Sequence, residues 1–126
     1  MATIRRFEET VAWQTARDLT QVVYGLSSRG KFARDFGLRD QMRRAAASIM
    51  SHIAEGFESQ SQPLFIQFLR RAKASAGEVK AQLYVALDAS YLDRAEFDRL
   101  FELTDKCNRQ INRLMSHLQD HPNNNV

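Results

Sequence analysis

The side chains best suited to engage a ligand in this chain are arginines and lysines. Arg39 and Arg43 stand one helical turn apart and share a face, while Arg44 is turned about 100° away. Arg70, Arg71 and Lys73 form a second group, and Lys80 follows on the same segment. On this reading they hold phosphates as charge partners and are not base readers. The net charge is only +3, but it is unevenly spread. Residues 29–80 carry ten Lys/Arg against five Asp/Glu, residues 1–28 three of each, and residues 81–126 five basic against seven acidic groups. That asymmetry points to an anionic partner; the alternative is a solvated helix face.

Other chemistry is poorly provided for. His117 and His121 have an i, i+4 spacing that can bind a metal, but no carboxylate or cysteine accompanies them at ligand spacing. Ser48, Ser51 and His52 lie close together without the third member of a triad. Cys107 falls on an apolar stripe, where a buried inert thiol is expected. The five glycines are isolated, which excludes a phosphate-cradling glycine loop. No Glu-x-x-His run of the di-iron bundles occurs. The expectation is therefore no catalytic residue, no metal and no cofactor. Glu55 and Glu78 have a different interest. A carboxylate among packed helices needs a partner, and Arg43, Arg44 or Gln82 are the candidates; solvated surface acids are the alternative.

These residues must be held by helices. At 126 residues, with 5 Gly, 2 Pro and 44% apolar side chains, the chain suits one domain with few breaks. The central segment is 37–56. Leu38, Met42, Ala45, Ile49 and Ile53 make one apolar stripe, and Ala46, Ala47, Met50 and Ala54 make a second patch beside it. Two apolar faces require more than one neighbour. Gly56 sits where a helix C-terminus is expected. A first helix over 8–26 carries Trp13 off the centre of its stripe, as a core edge or a subunit contact. A polar loop, 27–35, follows. Ser61 and Pro63 open a third helix over 63–90, whose Gly77 implies a close-passing backbone. Asp93 and Glu96 form a capping box for a fourth over 94–119, and 120–126 is a frayed tail. The fold class is all-α, and four such helices with short links predict an antiparallel up-down-up-down four-helix bundle spanning 1–126. Antiparallel packing brings Arg39 closer to Lys80 than to Arg70, so the cations form two zones.

The single Cys107, the absence of an apolar core after Arg5 and Arg6, and the lack of any ~18-residue apolar run predict a cytoplasmic protein without a membrane span.

A resemblance rests on particular residues. Trp13-Gln14-x-Ala16, Val23-Tyr24, Phe36-Gly37-Leu38-x-x-Gln41-x-Arg43-Arg44-Ala45-Ala46-x-Ser48-Ile49 and Ile53-Ala54-Glu55-Gly56 resemble the four-helix-bundle proteins encoded in intervening sequences of bacterial large-subunit ribosomal RNA genes. The likeness continues through Phe65, Phe68-Leu69, Ala72, Ser75, Glu78, Gln82 and Tyr91-Leu92, and covers roughly 7–118. His52 departs from the Asn usual before Ile-Ala-Glu-Gly. The resemblance implies an antiparallel bundle, a ring-shaped homopentamer and no enzymatic activity. It also implies kinship with accessory proteins of diversity-generating retroelements, basic pentamers that engage a reverse transcriptase and nucleic acid.

The leading expectation is a non-enzymatic oligomeric scaffold that binds RNA or DNA through Arg39, Arg43, Arg44, Arg70, Arg71, Lys73 and Lys80, with Arg39 the most open charge. The alternative is a protein-interaction module that docks a partner such as a reverse transcriptase. In it Trp13, Arg43, Arg44, Glu55 and Glu78 serve assembly.

Overall fold

The structure, a computed structural model, describes residues 4–122. It is all-α, with no strand among the described residues. The elements are α1 (Val11–Leu26), α2 (Gly30–Arg34), α3 (Phe36–Glu58), α4 (Gln62–Asp88) and α5 (Arg94–Asp120), preceded by a single 3-10 turn at Phe7–Glu9.

Helix ends follow local chemistry. Thr10 spends its hydroxyl on the Phe7 carbonyl at 2.6 Å and keeps an extended backbone. The first helix therefore begins at Val11 and not at residue 8, and Glu8 lies in the separate turn. Asp35 caps α3 by accepting the Leu38 amide at 3.2 Å. Ser61 caps α4, with Pro63 in its first turn. Asp93 and Glu96 form the expected capping box, at 2.8 and 3.0 Å. α4 closes on Ser90, whose φ of +62° is one glycine usually adopts. There Tyr91 and Ser90 donate to the Ala86 and Leu87 carbonyls, and the reversal turns Leu92 into the core. The proposed frayed tail is helical at Asp120, and residues 123–126 of it lie outside the described residues.

The expected polar loop at 27–35 contains α2. Its anchor, Phe32, is buried and stacks on Tyr91 at 5.3 Å. Five residues with one apolar anchor carry too little periodicity to be seen in the sequence.

Neighbouring long helices run in opposite senses around one core. Arg43 near the start of α3 bonds Ser27 at the end of α1. Gln62 at the start of α4 donates to the His121 carbonyl beyond α5. Arg29, just past α1, meets Glu96 in the first turn of α5. The core takes Leu19 and Val23 from α1 and Met42, Ile49 and Ile53 from α3. Leu69, Val79 and Leu83 of α4 and Leu100 and Ile111 of α5 complete it. Ala12, Val23 and Phe65 face inward, and Val11 and Leu64 stay exposed. Leu38, expected in the stripe of the central helix, is only half-buried, as is Phe68.

Two glycines exchange the roles their positions implied. Gly56 does not end α3; the helix continues to Glu58. It is buried against α4, where a Cβ would lie 2.7 Å from Phe65 Cδ1 and 3.3 Å from Phe65 Cα. Gly77 has no close neighbour: it is exposed, with nothing within 4 Å of an added Cβ. Gly56→Ala should therefore destabilise by about 1–3 kcal/mol through overpacking. Gly77→Ala should stabilise by up to about 1 kcal/mol through helix propensity. Urea denaturation of the two variants would show shifts of opposite sign.

Candidate nucleic-acid interface

Between Leu19 and Ala54 the chain has six Lys/Arg and two acids. The fold gathers these cations at one end of the bundle, where α1 finishes, α2 crosses and α3 begins. Each has a definite state. Arg29 pairs with Glu96 at 2.5 Å, and the Glu96 carboxyl is held below its usual range, first by the Asp93 amide it accepts and then by Arg29. Arg39 is not the open charge expected. It pairs with Asp40 at 2.9 Å, donates to the Ala33 carbonyl at 3.1 Å and lies 4.7 Å over the Phe36 ring. Arg43 donates to Ser27 and Ser28 at 2.8 and 2.9 Å and sits 4.6 Å over Tyr24. It is thus a tie between α3 and α1, and within the chain it does not pair with Glu55 or Glu78.

Lys31, Arg34 and Arg44 are exposed and make no ion pair among the described residues. Arg44 is free because the 100° step from Arg43 turns it off the α1 seam. The two acids nearby are both engaged. Asp40 holds Arg39. Asp35 caps α3 with one oxygen and accepts Tyr91 Oη on the other at 2.9 Å, which pushes the Tyr91 hydroxyl pKa up.

The second zone, near the start of α4, is looser. Arg70 is exposed and Lys73 half-buried. Arg71 lies 5.0 Å over Phe68, whose ring also stacks on His52. Lys80 belongs to neither zone as an open cation. It is paired to Asp105 and lies 5.1 Å over Phe101. Glu55 is 3.6 Å from His52, and Glu78 is exposed without an ion pair among the described residues. Trp13 is half-buried, edge-on to Phe7 at 5.3 Å, with Arg17 at 5.8 Å over its ring.

Lys31, Arg34, Tyr24 and Phe36 were not singled out as site residues. The charges lay in a stretch taken for plain loop. For Phe36 the signal was present, as its i, i+3 spacing to Arg39 puts ring and guanidinium on one face.

Among the described residues no three His, Cys, Asp or Glu side chains gather as a metal group, and no helix is long and apolar enough to cross a membrane. Cys107 is buried and donates to the Ala12 carbonyl at 3.5 Å, and burial pushes its thiol up to about 12.

A family model described as 23S rRNA-intervening sequence protein matches residues 8–113. The chain belongs to that family. It is similar to a crystallised protein of unknown function from the S23 ribosomal protein family of Bacteroides thetaiotaomicron. The TM-score is 0.76 at 19% identity, over 83% of this chain and 98% of the other. At that identity the likeness supports the fold alone. No curated protein matches the chain. The family match runs from before α1 into α5, and so includes both cation zones and the α1–α3 seam.

Two outcomes follow for these side chains. Arg43→Lys should cost about 1 kcal/mol in chemical denaturation, because an ammonium cannot reach both serines and lie flat on Tyr24. The Cys107 thiol should resist a thiol reagent at neutral pH in the folded protein and react once it is unfolded in urea.

Proposed function

We propose that the protein is a non-enzymatic homo-oligomeric scaffold, a pentameric ring in a cytoplasmic setting, that binds RNA or DNA through its phosphates. The observation that carries this reading is the set of open cations at the α1–α2–α3 end. Lys31, Arg34 and Arg44 are exposed and unpaired among the described residues, while the neighbouring acids Asp35 and Asp40 are already committed. Arg70 and Lys73 add a second, weaker zone. One small subunit presents few phosphate contacts, so a ring that repeats the cationic end would sum them along a strand. The ring itself is suggested by the family resemblance, and the half-buried Ala47, Met50 and Ala54 on α3 leave a small-residue surface suited to a close neighbour.

That same surface favours a second reading, in which the ring docks a partner protein such as a reverse transcriptase. Replacing Ala47 and Ala54 of that surface by Glu would then break assembly and leave RNA affinity per subunit unchanged. Sedimentation of that variant separates the two readings.

For the leading reading, the measurement is fluorescence anisotropy of a generic RNA across a salt series. Affinity should fall steeply with salt. Replacing Lys31, Arg34 and Arg44 together by Glu should flatten the slope of log K against log salt by about 2 for single-stranded RNA. Binding indifferent to salt, or a triple variant that binds as the parent does, would count decisively against it.

A further inference from the structure

Open cations hold phosphates of a duplex and of a single strand alike. Aromatic faces distinguish the two, because only unpaired bases offer a π-face to stack on. The cationic end carries such faces. Phe36 is 62% exposed and Tyr24 46%. Each has an arginine on one side, Arg39 at 4.7 Å and Arg43 at 4.6 Å. The arginines are fixed by other bonds: Arg39 by Asp40 and the Ala33 carbonyl, Arg43 by Ser27 and Ser28.

The geometry is a row. Phe36, Arg39 and Arg43 stand at i, i+3 and i+7 on one side of α3, so the first and last lie about 10 Å apart. Arg43 then crosses to Tyr24 on α1. Lys31, Arg34 and Arg44 flank this seam as free charges. Here the two exposed rings alternate with immobilised guanidinium planes, which themselves stack on bases.

We propose that this seam takes single-stranded nucleic acid, with bases stacking on Tyr24 and Phe36 and the backbone running past Lys31, Arg34 and Arg44. The inference rests on the phosphate-binding reading and adds the strand class to it. The positively charged surroundings favour this occupant over an apolar partner. Stacking is indifferent to the 2′-hydroxyl, so RNA and DNA strands bind alike.

The test is anisotropy at low salt with ribo- and deoxyribo-oligonucleotides, single-stranded and as duplexes of matched length. Single strands should bind at least about tenfold tighter than duplexes. Tyr24→Leu with Phe36→Leu, which keeps apolar bulk and removes both π-faces, should weaken single-strand binding about tenfold or more and leave duplex binding unchanged. Tyr24→Phe with Phe36→Tyr should retain parental affinity. Circular dichroism and sedimentation of each variant establish that fold and assembly are intact. Equal affinity for both strand classes, or a leucine variant that binds single strands normally, overturns stacking and leaves phosphate binding standing. So does strong selectivity for RNA, which would put 2′-hydroxyl contacts first. Absence of binding to any probe overturns both readings. Loss of assembly in the leucine variant would make the seam an interface between copies, and also overturns the proposal.

Discussion

The contact of α3 with α4 at Gly56 sets the spacing for the rest of the bundle. Three residues, Ser59 to Ser61, link the two helices, so the chain must reverse at once and the pair must lie close. Closeness is possible only without a side chain at position 56, since Phe65 occupies the space a Cβ would take. With that approach fixed, Met42, Ile49 and Ile53 meet Leu69, Val79 and Leu83 in the core. α1 and α5 then close the other two sides. The stability of such a bundle comes from burying these stripes, not from helix propensity, and a change in helix separation would be felt along the whole interface.

At the opposite end the constraint is electrostatic. α3 begins with a dense set of arginines, and the positive end of its own dipole adds to them. The structure relieves this selectively. Asp35 supplies the cap, Asp40 takes Arg39, and Arg43 is spread over two serines and a tyrosine ring. Arg44 is left unrelieved. Lys80, by contrast, is paired to Asp105. The contrast between the quenched cation of α4 and the open ones of α2 and α3 sets the cationic end apart from the rest of the surface.

Much of this was legible in the residues and some of it was not. Periodicity located the four long helices to within a few residues, and Ser61, Pro63, Asp93 and Glu96 marked their starts, because caps are local chemistry. The helical reach of Phe36–Glu58 was underestimated since Gly56 looked like a terminator; only a neighbouring helix reveals that it is a spacer. Gly77 was misjudged for the same reason, its surroundings being set by tertiary packing. α2 was missed because Phe32 is held by Tyr91, 59 positions later in the chain. The candidate cations could be listed from the sequence but not sorted: whether an arginine is free or tied depends on partners such as Ser27, Asp40 and Ala33, which spacing alone does not select. Helical phase did separate Arg44 from Arg43.

Asp35 carries a consequence beyond capping. Its two oxygens join the first turn of α3 to the Tyr91 hydroxyl at the α4–α5 joint. The carboxylate that could most readily neutralise the cationic end is thus sequestered by the folded state itself. Were the joint to open locally, that charge would be released among the arginines and the end would lose part of its attraction for anions. Order at the α4–α5 joint and the charge pattern of the cationic end are in this sense linked, because the same two oxygens serve both.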